Sequence, residues 1–357
     1  MSEWYDDREI VGLDLHRPRT VMVRMTPAGE RLEVARFAND PAVLREQLAK
    51  AGPAPEVVLE ATYGWYWAAD ALAAAGAAVH LAHPLGVKGF TYRRVKNDVR
   101  DATDLADLLR MGRLPEAWIA PPDVRTRREL VRHRHKLVQG ATWPKARVHA
   151  VLGKCGLPIA VSDLFGVSGS RQLRELPLVD PFRARIDSQL RLLAAFEAEI
   201  ARFDRLIREK FRGDPGYRVI QRIDGVGPVL AAVLVAELGD VTRFTGAPAV
   251  CSWAGLTPKH RESDLRVHRS QITKQGSRLV RWAAIEPVQR APASSPMRRT
   301  YDRISPAAAA PGRTWPRWPP PASCSPSSTT GCATARSAAS QRARHELGSG
   351  LRVARDR

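Results

Sequence analysis

The chain has 357 residues and a formal net charge of +19. So large an excess, mostly of arginine, points to a polyanionic partner, most simply nucleic acid, whose phosphates suit guanidinium forks; a membrane surface is the weaker alternative. There is no run of about 18 apolar residues to span a bilayer, the acidic start MSEWYDDREI has no signal-peptide core, and Cys155, Cys251, Cys324 and Cys332 form no CxxC pair, which argues against a zinc site or a disulfide framework and for a cytoplasmic protein.

Residues 9–37 read as three strands, EIVGLDLH, TVMVRM and RLEVARF, joined by the turns HRPR and PAGE. A helix follows over residues 41–51, then the apolar strand EVVLEA, which reaches Glu60. The WYW run at 65–67 opens an alanine-rich helix, and AVHLAH is a further short strand. Three strands followed by alternating helix and strand predict an α/β sheet with its ligand site at the strand ends. Asp14 and Glu60 stand at such ends. Residues 96–110, KNDVRDATDLADLLR, place Asp98, Asp101 and Asp104 three apart on one helix face. Stacked like charges repel, and a hard divalent cation such as Mg2+ would hold them through oxygen ligands. An isolated triplet would read as a solvated acidic face; Asp14 and Glu60, each ending an apolar run, favour the metal site.

Beyond Pro121 the character changes. VRTRRELVRHRHKLVQGATWPKARVHAVL is a long basic helical stretch, readable as a solvated face or a nucleic-acid surface. In a second long helix, over residues 181–212, Ile186, Leu190, Leu193, Phe196, Ile200, Phe203 and Ile207 recur at three- and four-residue steps. That seam suits a helical hairpin or a dimeric coiled coil, with packing on the chain's own partner helix as the default. VIQRIDGVGPVLAAVLVAEL then reads as helix, tight Gly225-Val226-Gly227 turn, helix. In a helix–hairpin–helix the amides at such a turn can hold a phosphate; the plainer alternative is a helical turn with Pro228 at the helix start.

The segment LTPKHRESDLRVHRSQITKQG is polar, basic and rich in hydroxyls, and leads into a helix carrying Arg278 and Arg281. Ser277 reads as an N-cap. Ser263 and Ser270 lie among Lys259, Arg261, Arg266, Arg269 and Lys274. A serine acting on a phosphodiester needs its proton removed and the developing charge stabilised, and cations serve the second need. Composition alone favours simple phosphate hydrogen bonding. From about Ser295 the chain turns Pro-, Ser- and Ala-rich without a period, which predicts disorder. A shifted reading of GC-rich codons gives a helical end instead, so a frameshifted tail is the sharper expectation.

Taken together, VGLDLH with Asp14, LEATYGWYW with Glu60, KNDVRDATDLADLL with Asp98 and Asp101, then IDGVGPVLAAVLVAELGD, SWAGLTPKHRES and ITKQGSRLVRWAA resemble, over residues 9–290, the DEDD-type insertion-sequence transposases of the IS110/IS116/IS902 group. The resemblance implies an α/β plus α chain. Its parts are an N-terminal RNase H-like (RuvC-like) mixed sheet with helices, a long helical coiled-coil segment, and a mostly helical C-terminal domain with a helix–hairpin–helix-like turn. The corresponding ranges are 1–118, 119–212 and 213–294, followed by the tail at 295–357. It implies Mg2+ on Asp14, Glu60, Asp98 and Asp101, with Asp104 as an alternate. It also implies a serine nucleophile, matched by position to Ser263, although Asp264 follows where the family usually has glycine; Ser270 and Ser277 are fallbacks.

The nucleic-acid contacts expected are Gly225, Gly227, Lys259, Arg261, Arg269, Lys274, Arg278 and Arg281. The implied partners are DNA (element ends and target), an element-encoded guide RNA and further copies of the chain, with no membrane. The implied activity is DNA transposition through a covalent serine–DNA link. The alternatives are a metal-dependent Holliday-junction-type endonuclease without that link, and a catalytically decayed nucleic-acid-binding remnant.

Overall fold

A computed structural model describes residues 8–90, 97–157, 161–263 and 266–304. It divides after Ala120 into two compact units. The first contains β1 (Ile10–Leu15), β2 (Arg19–Met25), β3 (Arg31–Ala38), α1 (Pro41–Ala49), β4 (Glu56–Glu60), α2 (Trp65–Ala74), β5 (Ala78–Ala82), α3 (Pro84–Val87) and α4 (Asp98–Arg110). The five strands form one sheet in the order β3-β2-β1-β4-β5. β1, β2 and β3 run antiparallel in turn, while β4 and β5 lie parallel to β1. This is the mixed RNase H-like sheet expected.

Strand alternation sorts the side chains of this sheet onto two faces. Val11, Leu13, Val57 and Leu59 bury against Leu44 and Leu48 of α1 and Leu72 of α2. Ile10 and Val58 bury on the other face, against Leu105, Ala106 and Leu109 of α4. Gly12 lies on that second face. A Cβ there would stand 1.9 Å from the Ala102 carbonyl oxygen, so α4 rests directly on the backbone of β1. The Asn97 side chain caps α4 by accepting from the Val99 amide, and Asp98 and Asp101 occupy the first turn, where the helix dipole favours negative charge. Lys96 lies outside the described residues.

The second unit contains α5 (Pro122–Gly140), α6 (Thr142–Lys154), α7 (Val167–Glu175), α8 (Phe182–Phe211), α9 (Pro215–Ile220), α10 (Pro228–Leu238), α11 (Ala247–Trp253), the strands β6 (Pro258–Ser263) and β7 (Arg266–Ile272), α12 (Arg278–Arg290) and α13 (Pro296–Ile304). α5 and α6 both pack along α8. Ile186, Leu193 and Ile207 are buried in the seam, and Gly140 of α5 comes so close to Phe196 that a Cβ would sit 2.6 Å from the ring. The seam therefore meets the chain's own helices. α10, apolar but for Glu237, forms the centre of a core shared with α5, α8, α9, α11 and α12.

The basic stretch of α5 carries internal pairs that neither reading of its composition included. Arg127 pairs with Asp123 and Asp214, and Arg134 with Asp204. Arg128 donates to the carbonyls of Ala236 and Glu237, and Arg132 forks onto the Glu237 carboxylate at 2.7 and 3.0 Å. Glu237 is 2% exposed. These arginines tie α5 to α8, α9 and α10, and Arg127, Arg132 and Arg134 are matched by carboxylates within the unit. Burying Glu237 would be costly without that fork.

α13 occupies the first positions that the composition assigned to a disordered tail. Ser295 and Thr300 are buried, and Arg298 pairs with Asp302 one turn on. The structured part of the chain therefore runs further than the loss of periodicity suggests, because nine residues are too few for a period to register. Residues 305–357, most of the expected tail, lie outside the described residues.

Candidate metal centre and serine ribbon

β1 and β4 are parallel, with Leu13 opposite Leu59. The next residues, Asp14 and Glu60, are thus neighbours at the C-terminal end of the sheet, where open α/β sheets bind ligands. α4 crosses β1 with Ala102 over Gly12, and Asp98 stands one turn earlier, above Asp14. The result is a close group of three donors, Asp14, His16 and Asp98, whose donor atoms all lie within 4.8 Å of one another. His16 Nε2 is 3.1 Å from Asp14 Oδ2 and 3.4 Å from Asp98 Oδ2, and Arg19 Nη2 is 3.2 Å from the same Asp98 oxygen. The Asp14 side chain is only 16% exposed, and those of His16 and Asp98 about a third.

The structure thus gathers two of the four expected carboxylates and adds a histidine to which the sequence reading gave no role. Glu60 and Asp101 are half-buried nearby in sequence and fold, Glu60 beside Asp14 on β4 and Asp101 one turn beyond Asp98 on α4, but neither is part of the close group. Asp104, the alternate, is likewise half-buried on α4. The signal for His16 was present in the sequence: in D-x-H the two side chains fall on one face of a strand that runs on extended. The donor set, two carboxylate oxygens and one imidazole nitrogen, fits a divalent cation. At the rim, the Arg17 guanidinium lies 5.2 Å from the ring centre of the exposed Tyr63.

In the second unit, β6 and β7 pair as an antiparallel ribbon with Ser263 opposite Arg266, so Ser263 is the last paired residue before the tip. It is exposed, as are Lys259 and Arg261 on the same strand. Asp264 lies outside the described residues. Arg269 lies on β7 opposite His260, and Ser270 further along it. The polar, basic segment, to which the sequence alone assigned no element, is therefore a ribbon. It carries few apolar residues, so no alternation announced it.

The base of the ribbon is fixed by two close crossings. A Cβ at Gly255 would meet the Gln275 carbonyl oxygen at 1.8 Å, and one at Gly276 the Trp253 oxygen at 2.1 Å. Both glycines have positive φ, 68° and 86°, which costs them nothing. Arg281 Nη1 then donates to the carbonyls of Ala254, Gln275 and Gly276 at 3.0–3.1 Å. Burial, with Arg278 beside it, lowers the Arg281 pKa. Arg281, expected on a nucleic-acid surface, is thus engaged in holding this crossing, whereas Arg278 and Lys274 are exposed. Ser277 is the N-cap of α12, as its position suggested, accepting from the Val280 amide.

The two hairpin glycines also differ from each other. Gly225, at φ 80°, faces α12, since a Cβ there would lie 2.3 Å from the Pro287 carbonyl oxygen. Gly227 is the N-cap of α10 and faces open space. A phosphate approaching this turn would meet the Gly227 side. Among the described residues no helix is long and apolar enough to cross a membrane.

Comparison with known proteins bears on both units. A model of DEDD transposases matches residues 11–156, and a model of the transposase IS116/IS110/IS902 family matches residues 217–302. The "Probable family 20 transposase" of Pseudomonas aeruginosa is 27% identical over 226 residues, covering 60% of this chain and 64% of that protein. The 44.8 kDa protein of insertion element IS116 from Streptomyces clavuligerus is 38% identical over 90 residues, 25% of this chain and 23% of that one. The chain spans less than two thirds of the length of these relatives. A solved structure of T. thermophilus RuvC in complex with a Holliday junction substrate aligns with 31% of this chain and 99% of its own, at 15% identity and a TM-score of 0.23, too low to carry an argument. With one model matched over the first unit and the start of the second, and the other over residues 217–302, the chain is similar to the transposases of the IS116/IS110/IS902 family.

Proposed function

We propose that the chain is a DNA transposase of this type, cutting and rejoining strands through a serine–DNA intermediate with a divalent cation, Mg2+ in the first instance, at the end of its sheet. The observation that carries the reading is the convergence of Asp14 and Asp98, brought together from β1 and α4 with their donor atoms inside 4.8 Å of each other and of His16. Glu60 and Asp101 are the proposed remaining carboxylates. A cation bound there would offset the charge that develops on a phosphate oxygen.

The second half of the chemistry is proposed for Ser263. Its Oγ would attack phosphorus, losing its proton and displacing one ester oxygen, which leaves as a hydroxyl. The phosphodiester energy is thereby stored as a phosphoserine link, and attack by another hydroxyl reverses the step and restores the serine. Lys259 and Arg261, exposed on the same strand, supply positive charge for the anionic intermediate. Guide RNA use and oligomeric assembly belong to the same proposal.

The test is to incubate the protein with a nicked suicide DNA substrate and Mg2+ and to look for a covalent adduct on a denaturing gel. The adduct is expected from the natural chain and absent from Ser263→Ala. An adduct that persists in Ser263→Ala removes Ser263 as nucleophile. The second reading, an endonuclease with no covalent link, is favoured by the donor group lying wholly in the first unit. Cleavage without adduct would establish it.

A further inference from the structure

The His16 imidazole is not accounted for by the four carboxylates of the proposed site. Its Nε2 atom is fully buried although a third of the side chain is exposed, and it makes no hydrogen bond of acceptable angle. Yet it lies 3.1 Å from Asp14 Oδ2 and 3.4 Å from Asp98 Oδ2. Close approach without hydrogen-bond alignment is what atoms directed at a common third point show. Adjacent ligands of a six-coordinate ion at about 2.1 Å are separated by about 3 Å, so the two observed spacings match the edges of one coordination sphere. The third edge is also bounded, because all three donors lie within 4.8 Å of one another.

We propose that His16 Nε2 is a direct ligand of the divalent cation held by Asp14 and Asp98. The inference rests on the metal-site reading above and adds a nitrogen to an otherwise oxygen site. The alternative role for His16 is that of a permanent counter-cation, an imidazolium bridging two carboxylates. That role asks for N–H donation along at least one contact, which the angles do not give. Arg19 Nη2, 3.2 Å from Asp98 Oδ2, supplies a positive charge to that carboxylate; its side chain is 56% exposed and free to withdraw when a cation binds.

The nitrogen has a chemical consequence. An imidazole donor favours first-row transition ions, of which Mn2+ binds weakest and also accepts carboxylates, over Mg2+, which prefers oxygen and retains water. The site is therefore one for Mn2+ at least as much as for Mg2+, and His16 sets that preference.

The experiment loads the full-length protein with one equivalent of Mn2+ and records pulsed electron paramagnetic resonance. Modulation from a directly bound 14N is expected, replaced by a 15N signal when the protein is labelled at histidine, and lost in His16→Ala. Mn2+ affinity should fall at least tenfold in His16→Ala while Mg2+ affinity, read by competition, changes less than threefold. If His16→Ala does not fold by circular dichroism, His16→Gln serves, since an amide at that place cannot give the histidine 15N signal. Bound Mn2+ without nitrogen modulation, or modulation that survives in both variants, overturns the His16 proposal and leaves the carboxylate site standing. If Mn2+ does not bind at all, both fall.

Discussion

Gly12 governs how near α4 comes to the sheet, and so where Asp98 stands. Its missing side chain lets the Ala102 carbonyl lie 1.9 Å from where a Cβ would be. The contact is with backbone, which cannot rotate aside, so Gly12→Ala must push α4 outward. Overpacking of this kind costs about 1–3 kcal/mol, and the same shift carries Asp98 away from Asp14. The expected outcome is a lowered urea midpoint together with weaker cation binding, the second larger than a general loosening would cause. A Gly12→Ala protein that binds the cation normally would show that α4 does not set the site. His135 is a second residue whose surroundings have a measurable consequence. Its ring lies 5.7 Å from that of Trp282, and burial lowers its pKa from the ordinary 6.5, with Arg134 and Arg278 adding to the effect. The folded protein thus binds this proton less readily than the unfolded chain. The histidine's contribution to stability is complete above about pH 6.5 and is lost as pH falls through 6.5 towards the lower folded value. His135→Gln should flatten the pH dependence of the thermal midpoint in that window; an unchanged profile would assign the acid sensitivity elsewhere.

At the level of elements, the first unit was legible because its signals are local. β1, β2 and β4 are apolar runs closed by turn residues, and α4 announces itself by its carboxylates at three-residue steps. What those steps could not tell was which carboxylates converge. That depends on the register of β1 with β4 and on the one close crossing at Gly12, both long-range. The internal pairs of α5 were hidden for the same reason. A run of arginines has the same composition whether it faces phosphate or, as here, the carboxylates of Asp123, Asp204, Asp214 and Glu237. The ribbon was missed because β6, exposed on both faces, needs no apolar alternation. Its exposure also makes it the element on which a phosphate contact is most directly tested. Each phosphate neutralised contributes about 0.9 to the slope of log affinity against log salt on duplex DNA. Replacing Lys259 and Arg261 together by alanine should therefore lower that slope by about 2, in filter-binding titrations across a salt series, without changing the thermal midpoint. An unaltered slope would mean that the ribbon does not touch the backbone.

Over the whole molecule the charge is divided unequally. Up to Ala120 there are 15 lysines and arginines against 17 acidic residues; after it there are 41 against 20. The net charge of +19 is therefore a property of the second unit, part of it consumed by the internal pairs of α5, while the first unit is slightly acidic and carries the proposed cation site. On the proposed reading, affinity for DNA resides chiefly in the second unit, whereas the chemistry needs the cation site of the first unit as well as Ser263 of the second. Long-range attraction to a polyanion depends on the excess of positive charge, whereas cleavage depends on the carboxylates. Asp14→Ala should then abolish strand cleavage, yet leave DNA affinity in chelator equal to that of the natural chain or slightly higher, since one negative charge is gone. The salt slope should be unchanged for the same reason, because no phosphate contact has been removed. Affinity measured in chelator, with and without the substitution, separates the two contributions. If Asp14→Ala weakened binding under those conditions, the acidic end of the sheet would itself be holding DNA without its cation. The division of labour drawn from the charge distribution would then be wrong.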